Sequence, residues 1–291
     1  MRVARYLAPE ASEPAVGIIG DDDIVAEVPA SGGDLGPLLL LNKAGLEQVA
    51  SASMVSHKLS DVRLLAPVGS PGKILALAAN YHPHDSDNPV DVDVNIPKFF
   101  AKPTTALLGP DATIPFHAKA TIHTVEEIEL CVVIGRPGKN ISKEDAFDHV
   151  FGYTVINDFS GRDLRLNPSR DATGQGGWFE WLNGKWLDGY APVGPWIVPA
   201  EDVSDVTNLQ ITTKVNGAVR VDGNSSRMLY DIPRQIAYIS LLCTLEPGDL
   251  IATGVVPLAP GIDDEIYIQA GDVIEGVIEG IGTLRNTLGS A

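Results

Sequence analysis

Glu127-Ile128-Glu129-Leu130-Cys131-Val132-Val133-Ile134-Gly135 (EIELCVVIG) reads as a single β-strand closed by a glycine. Apolar and β-branched residues dominate it, and on a strand positions i and i+2 share a face. Glu127 and Glu129 therefore point the same way, with Cβ atoms roughly 6–7 Å apart. Ile128, Leu130, Val132 and Ile134 point the other way, into a core. Two such carboxylates are either solvated on a half-exposed strand or hold a hard divalent cation between them.

Downstream, residues 151–159 (FGYTVINDF) form a second strand, almost wholly apolar until Asp158 at its end. A buried carboxylate left without a partner costs several kcal/mol, so Asp158 needs either Arg162 or a metal. Three carboxylates without a soft ligand favour Mg²⁺, Mn²⁺ or Ca²⁺ over zinc. Upstream, residues 73–79 (KILALAA) are a short buried strand opening into Asn80-Tyr81-His82-Pro83-His84-Asp85. His82 and His84 are either a zinc-binding pair or the site of one general base oriented by Asp85 or Asp87. His57, His117, His123 and His149 have no obvious companions in the sequence. Lys185 follows Trp178, Phe179 and Trp181. It is either a buried cation facing an oxyanion or a surface lysine in a turn.

The rest of the chain supplies mostly short strands. Residues 1–70 read as a small N-terminal domain with a helix near 42–53, and Gly69-Ser70-Pro71-Gly72 is the linker to a domain spanning 71–291. Ser142 caps a short helix, Asp231 caps a second over 231–245 with Pro233 in its first turn, and residues 166–190 read as a long loop. The terminal stretch 271–280 is a strand and turn.

With 291 residues, 44% hydrophobic and 20% charged, the chain can bury a large core. A formal net charge of −17 repels phosphate backbones and anionic membrane surfaces, so neither nucleic acid nor membrane is an expected partner. Cys131 and Cys243 lie in apolar runs and suit a reducing, cytoplasmic setting. No apolar run reaches the roughly 18 residues of a spanning helix, and none of signal length opens the chain.

Taken in order, PGKILALAANYHPH, EEIELCVVIGR, SKEDAFDHVFGYTVINDFSGRDL, GKWLDGYAPVGPW, LEPGDLIATG and AGDVIEGVIEGIGTLRN resemble the fumarylacetoacetate hydrolase family from about residue 71 to 286. The resemblance implies a mostly β (α+β) fold, a mixed β-sheet roll with a small N-terminal α+β domain, assembled as a homodimer. It implies a divalent metal, usually Mg²⁺ with Mn²⁺ or Ca²⁺ compatible, and hydrolytic carbon–carbon cleavage of a small 1,3-dioxo acid. Decarboxylation or keto–enol isomerisation of a 2-oxo acid is the alternative. By position, Glu127, Glu129 and Asp158 match the metal ligands, His84 the water-activating histidine, Asp87 its carboxylate partner and Lys185 the lysine that holds developing negative charge. Tyr81, Arg162, Arg165 and Thr253 fall around the substrate. Three departures stand out, the first being that Asp87 is one methylene shorter than the glutamate many relatives place there. Arg165 replaces a glutamine common in relatives, which implies an extra anionic or carbonyl group on the substrate. The usual Thr-Gly-Thr-Pro is here Thr253-Gly254-Val255-Val256-Pro257. A zinc amidohydrolase built on His82 and His84 would need further ligand histidines after later strands. A Ca²⁺-binding scaffold would need regular Asp/Gly loop spacing, which Asp21-Asp22-Asp23 and residues 85–93 lack.

Overall fold

A computed structural model describes residues 1–28, 33–82, 95–165, 175–262 and 266–290. Its spine is a mixed sheet of twelve strands among the described residues. At the centre, Ile128–Ile134 pairs antiparallel with Val150–Asn157 on one side and with Leu250–Ala252 on the other. Beyond Leu250–Ala252 come Ile74–Ala78, running parallel to it, and then Lys98–Lys102. Beyond Val150–Asn157 comes Ala191–Pro199, which also pairs with Arg2–Leu7, so the first strands of the chain join the same sheet. A five-stranded sheet built on Gln210–Val215, Val273–Ile278 and Gly282–Leu288 packs across the spine.

Two cores result, one on each face of the central strand. Leu130, Val132 and Ile134 pack with Ile211, Ile274 and Leu284, whereas Cys131 and Val133 pack with Leu38, Leu39 and Leu250 on the opposite face. The EIELCVVI stretch is thus covered on both sides. That is why it reads as a continuous apolar run rather than the alternation of a half-solvated strand.

Three helices complete the described chain. In α1 (Lys43–Ser51) the Asn42 side chain accepts from the Gly45 amide, and in α3 (Ile232–Leu242) Asp231 accepts from the Arg234 amide. The Asp231 cap agrees with the sequence reading, and Asn42 caps the helix expected near 42–53. Two expectations need correction. Ser142 does accept a hydrogen bond from the Asp145 amide, but a turn follows and only a short 3₁₀ segment, Ala146–His149, forms. Residues 175–184, read as loop, form α2 (Gln175–Gly184). Its paired glycines hide helical propensity, and packing supplies what propensity lacks. Trp181 meets Phe100 edge-on at 4.9 Å, Trp178 stacks on Trp181, and Leu182 packs against the second core. No helix among the described residues is long and apolar enough to cross a membrane.

Candidate active site

The ladder between the two central strands builds the site. Its register pairs Ile128 with Asn157, and one step further Glu127 stands opposite Asp158, with the Asp158 amide donating to the Glu127 carbonyl at 2.8 Å. The Asn157 side chain accepts from the Glu127 amide at 2.9 Å and holds the corner. One carboxylate oxygen each from Glu127, Glu129 and Asp158 then lies within 4.8 Å of the others. These are three residues from two strands, brought together by register alone.

Glu129 is fixed by an approach only glycine permits. The Gly254 amide donates to Glu129 Oε2 at 2.6 Å, with Gly254 at φ +100°, where a Cβ would stand 2.7 Å from that of Asn80. Asn80 in turn donates to the Thr253 carbonyl at 2.7 Å and accepts from the Tyr230 amide at 2.9 Å. Glu129 Oε1 is buried and meets no hydrogen-bond donor among the described residues. Burial, with the negative charges of Asp158 and Glu127, pushes the Glu129 carboxyl well above the usual range.

Two fully buried lysines face these acids. Lys185, just past the end of α2, donates to Glu127 Oε2 at 2.8 Å and to Asp158 Oδ2 at 2.7 Å, with its ammonium 5.2 Å from the centre of the Trp181 ring. Burial pulls its pKa down, but Asp158 and Glu127 outweigh that and the net direction is upward. Lys102, which the sequence reading did not single out, donates to Asp158 Oδ1 at 2.5 Å and to the Phe159 carbonyl at 3.2 Å. Burial is the largest influence on it and its pKa is lowered. Arg162 completes the set, donating to Glu127 Oε1 at 2.9 Å. Asp158 therefore has cationic partners, two lysines, and Arg162 serves Glu127 instead.

Three carboxylates face three cations, so the cluster is balanced as it stands. The donor set nonetheless suits a hard divalent ion, because it is all oxygen, convergent and includes an orphaned buried oxygen on Glu129. Such an ion would leave two positive charges in surplus, which favours an anionic ligand.

The other candidates scatter. His84 and Asp87 lie outside the described residues. Tyr81 is buried near Thr253 and Glu129, and burial, helped by the Glu129 charge, raises its phenol pKa. Thr253 directs its hydroxyl to the Leu130 carbonyl at 3.0 Å, which ties strand to strand. Arg165 is exposed and forms no ion pair among the described residues. His123, read as companionless, is not. Cross-strand pairing of Thr121–Val125 with Ser160–Leu164 places it opposite Arg162, its Nδ1 lies 2.7 Å from Asp163, and its ring stacks on Tyr267 at 4.0 Å. That partnership depends on a register and a distant loop, so no local signal carries it.

A cavity of about 440 Å³ opens beside the cluster, lined by Glu127 and Arg162 together with Val255, Val256, Pro257 and Tyr267. On its wall Glu126 pairs with Arg220, Nε to Oε1 at 3.2 Å. Burial pushes the Glu126 carboxyl up to about 7 against the pull of Arg220. A larger cavity, about 550 Å³ and lined by Leu41, Lys43, Arg136 and Phe151, holds none of these groups.

Comparison with known proteins agrees with the geometry. Residues 73–289 match the family model described as fumarylacetoacetate (FAA) hydrolase C-terminal. An oxaloacetate tautomerase of Bacillus subtilis is 36% identical over 236 residues, covering 80% of this chain and 75% of that protein. A solved fumarylacetoacetate hydrolase from psychrophilic Exiguobacterium antarcticum superposes with TM-score 0.83 at 30% identity, covering 100% of both chains. A maleylpyruvate hydrolase from Sphingobium sp. SYK-6, in complex with manganese(II) and pyruvate, gives 0.75 at 29% identity, again with full coverage of both. With its carboxylate triad, its mixed sheet and most of its length accounted for, the chain belongs to the fumarylacetoacetate hydrolase family of enzymes.

Proposed function

We propose that the protein is a Mg²⁺-dependent hydrolase that cleaves a carbon–carbon bond in a small 2,4-dioxo acid of the acylpyruvate type. One observation supports this above the others: Glu127, Glu129 and Asp158 converge with an orphaned buried oxygen on Glu129. A divalent cation held there would supply Lewis acidity and a template for a 2-oxo carboxylate.

The chain's own residues would do the rest. His84, oriented by Asp87, takes a proton from water, and the hydroxide adds to the distal carbonyl carbon. The bond from that carbon to the methylene breaks, and its electron pair leaves as the enolate of pyruvate. Protonation of that enolate gives pyruvate, and the distal fragment departs as a carboxylic acid. Lys185, buried and charged beside Glu127 and Asp158, offsets negative charge where water is scarce. Arg162, half-buried on the cavity wall, orients the substrate carboxylate.

Oxaloacetate tautomerisation is the second reading, favoured by the Bacillus subtilis relative of that name. It shares enolate stabilisation but dispenses with water. Acylpyruvates and enol-oxaloacetate assayed with Mg²⁺ and with EDTA, in wild type and His84→Ala, separate the two. Hydrolysis should vanish with EDTA and fall about 10²–10⁴-fold in the variant. Tautomerase activity that survives His84→Ala, with no acylpyruvate cleaved by wild type, overturns the first reading in favour of the second.

A further inference from the structure

The cavity beside the carboxylate cluster is chemically lopsided. Glu127 and Arg162 mark its polar end. Away from them the wall is mostly valine, proline and leucine with the ring of Tyr267, and its remaining charged residues, Glu126 and Arg220, face each other. Apolar walls with a few polar groups at one end are how small-molecule sites separate recognition of a head group from recognition of its tail.

The cations on this wall are already engaged. Arg220 faces Glu126 through Nε and Nη1, and its Nη2 donates to the Ile266 carbonyl at 2.8 Å. Arg162, held by Glu127 and Ser160, lies at the polar end, where the head-group carboxylate of the substrate takes it up rather than a carboxylate at the far end of the arm. A carboxylate at the far end of a ligand would therefore be desolvated among valines with no free cation among the described lining residues to meet it, an arrangement costing several kcal/mol.

Tyr267 is held in place as a wall. Its ring lies nearly parallel to that of His123, at 7° and 4.0 Å between centres, and His123 is anchored by Asp163. Asp163 adopts φ +53°, a left-handed conformation that aspartate tolerates better than most residues. The next residue along, Ile268, donates from its amide to the Thr124 carbonyl at 2.9 Å, so the segment carrying Tyr267 is tied to the strand carrying His123.

We propose that this lobe seats an uncharged, apolar acyl arm of the substrate, with Tyr267 as the specificity-determining wall. The inference rests on the metal-dependent oxo-acid reading above and narrows it, setting this protein apart from enzymes whose substrates carry a second carboxylate.

The test uses N-alkyl oxamates as unreactive mimics of a 2-oxo acid with an arm attached, and measures their binding calorimetrically to the full chain with Mg²⁺. Lengthening the arm from methyl to butyl should tighten binding about fourfold per methylene. An N-carboxypropyl oxamate should bind at least tenfold more weakly than its butyl counterpart. Tyr267→Ala should flatten the dependence on arm length while changing affinity for unsubstituted oxamate less than threefold. Tyr267→Arg should reverse the preference toward the carboxylate-tipped arm, which a merely structural loss would not do. If Mg²⁺ elicits no oxamate binding at all, the oxo-acid reading itself fails. If oxamates bind but arm length and charge make no difference, or if the carboxylate arm binds best in wild type, the apolar seat is wrong and the oxo-acid reading stands.

Discussion

The molecule contains two very different sets of charge pairs. Around Asp158, Lys102 and Lys185 are fully buried and their carboxylate partners nearly so. Where α1 meets the segment after Ala191–Pro199, Lys43 pairs with Asp202, and at the far end of the first hairpin Arg2 pairs with Asp23, 65% exposed. Pairs of the second kind, with at least one partner open to water, contribute little because water competes for that partner. Buried pairs are sensitive in a different way, since their members have lost hydration and only each other to replace it. A fold needs no such cluster for stability, so its presence argues for chemistry. Removing single members of each set tests that contrast.

The largest effect should come from Asp158→Ala. It strips both buried lysines of a carboxylate and should lower stability by about 3–5 kcal/mol, or roughly 10 °C in Tm for a chain of this size. It should also abolish Mn²⁺ binding, read by calorimetry. Retention of both would show that the cluster is ordinary surface-like electrostatics. Next, Lys185→Met should lower kcat on the oxo-acid substrate about 10²–10³-fold. Lys102→Met should change kcat less than tenfold, because Lys102 touches Asp158 but not Glu127. Equal losses in the two variants would erase the distinction between them. Third, Mn²⁺ at a hundredfold excess over its Kd should stabilise the wild type by about 2.7 kcal/mol, seen as a rise of several degrees in Tm. In Glu129→Gln the rise should disappear, since the Gly254 amide can still find an oxygen but one anionic ligand is gone.

Legibility from sequence follows the same division. Glu127, Glu129 and Asp158 could be found because strand periodicity is local and each sits within a short, readable strand or at its end. Lys102 could not. It ends a strand, Lys98–Lys102, that reaches Asp158 only across three intervening strands. Nothing in KFFAK marks one lysine as buried. His123 was hidden for a related reason, as its partners Asp163 and Tyr267 are 40 and 144 positions away. The helix α2 was obscured by its glycines, although Trp178 and Trp181, one turn apart, are a helical spacing in retrospect. The cap residue Asp231 was readable because capping is settled within four residues.

The smallest expected effect sharpens the comparison from its other side. The Asp202 carboxyl is pushed up by partial burial, but the Lys43 ammonium and the N-terminal ammonium of Met1 together outweigh this and hold it below its ordinary value. A carboxylate depressed by folding lends stability above its unfolded pKa and loses it as pH falls through the folded value. Asp202→Asn should therefore cost at most about 1 kcal/mol at pH 7, and the gap to wild type should close below about pH 4. It should leave Mn²⁺ affinity unchanged, because Asp202 follows Pro199, which pairs with Gly152 at the opposite end of that strand from Asp158, and the pair shares no partner with the triad. Thermal unfolding across pH with and without Mn²⁺ makes the measurement. A metal-dependent difference in this variant would mean that the surface pair and the buried cluster are coupled through Ala191–Pro199, the strand that pairs with both Arg2–Leu7 and Val150–Asn157.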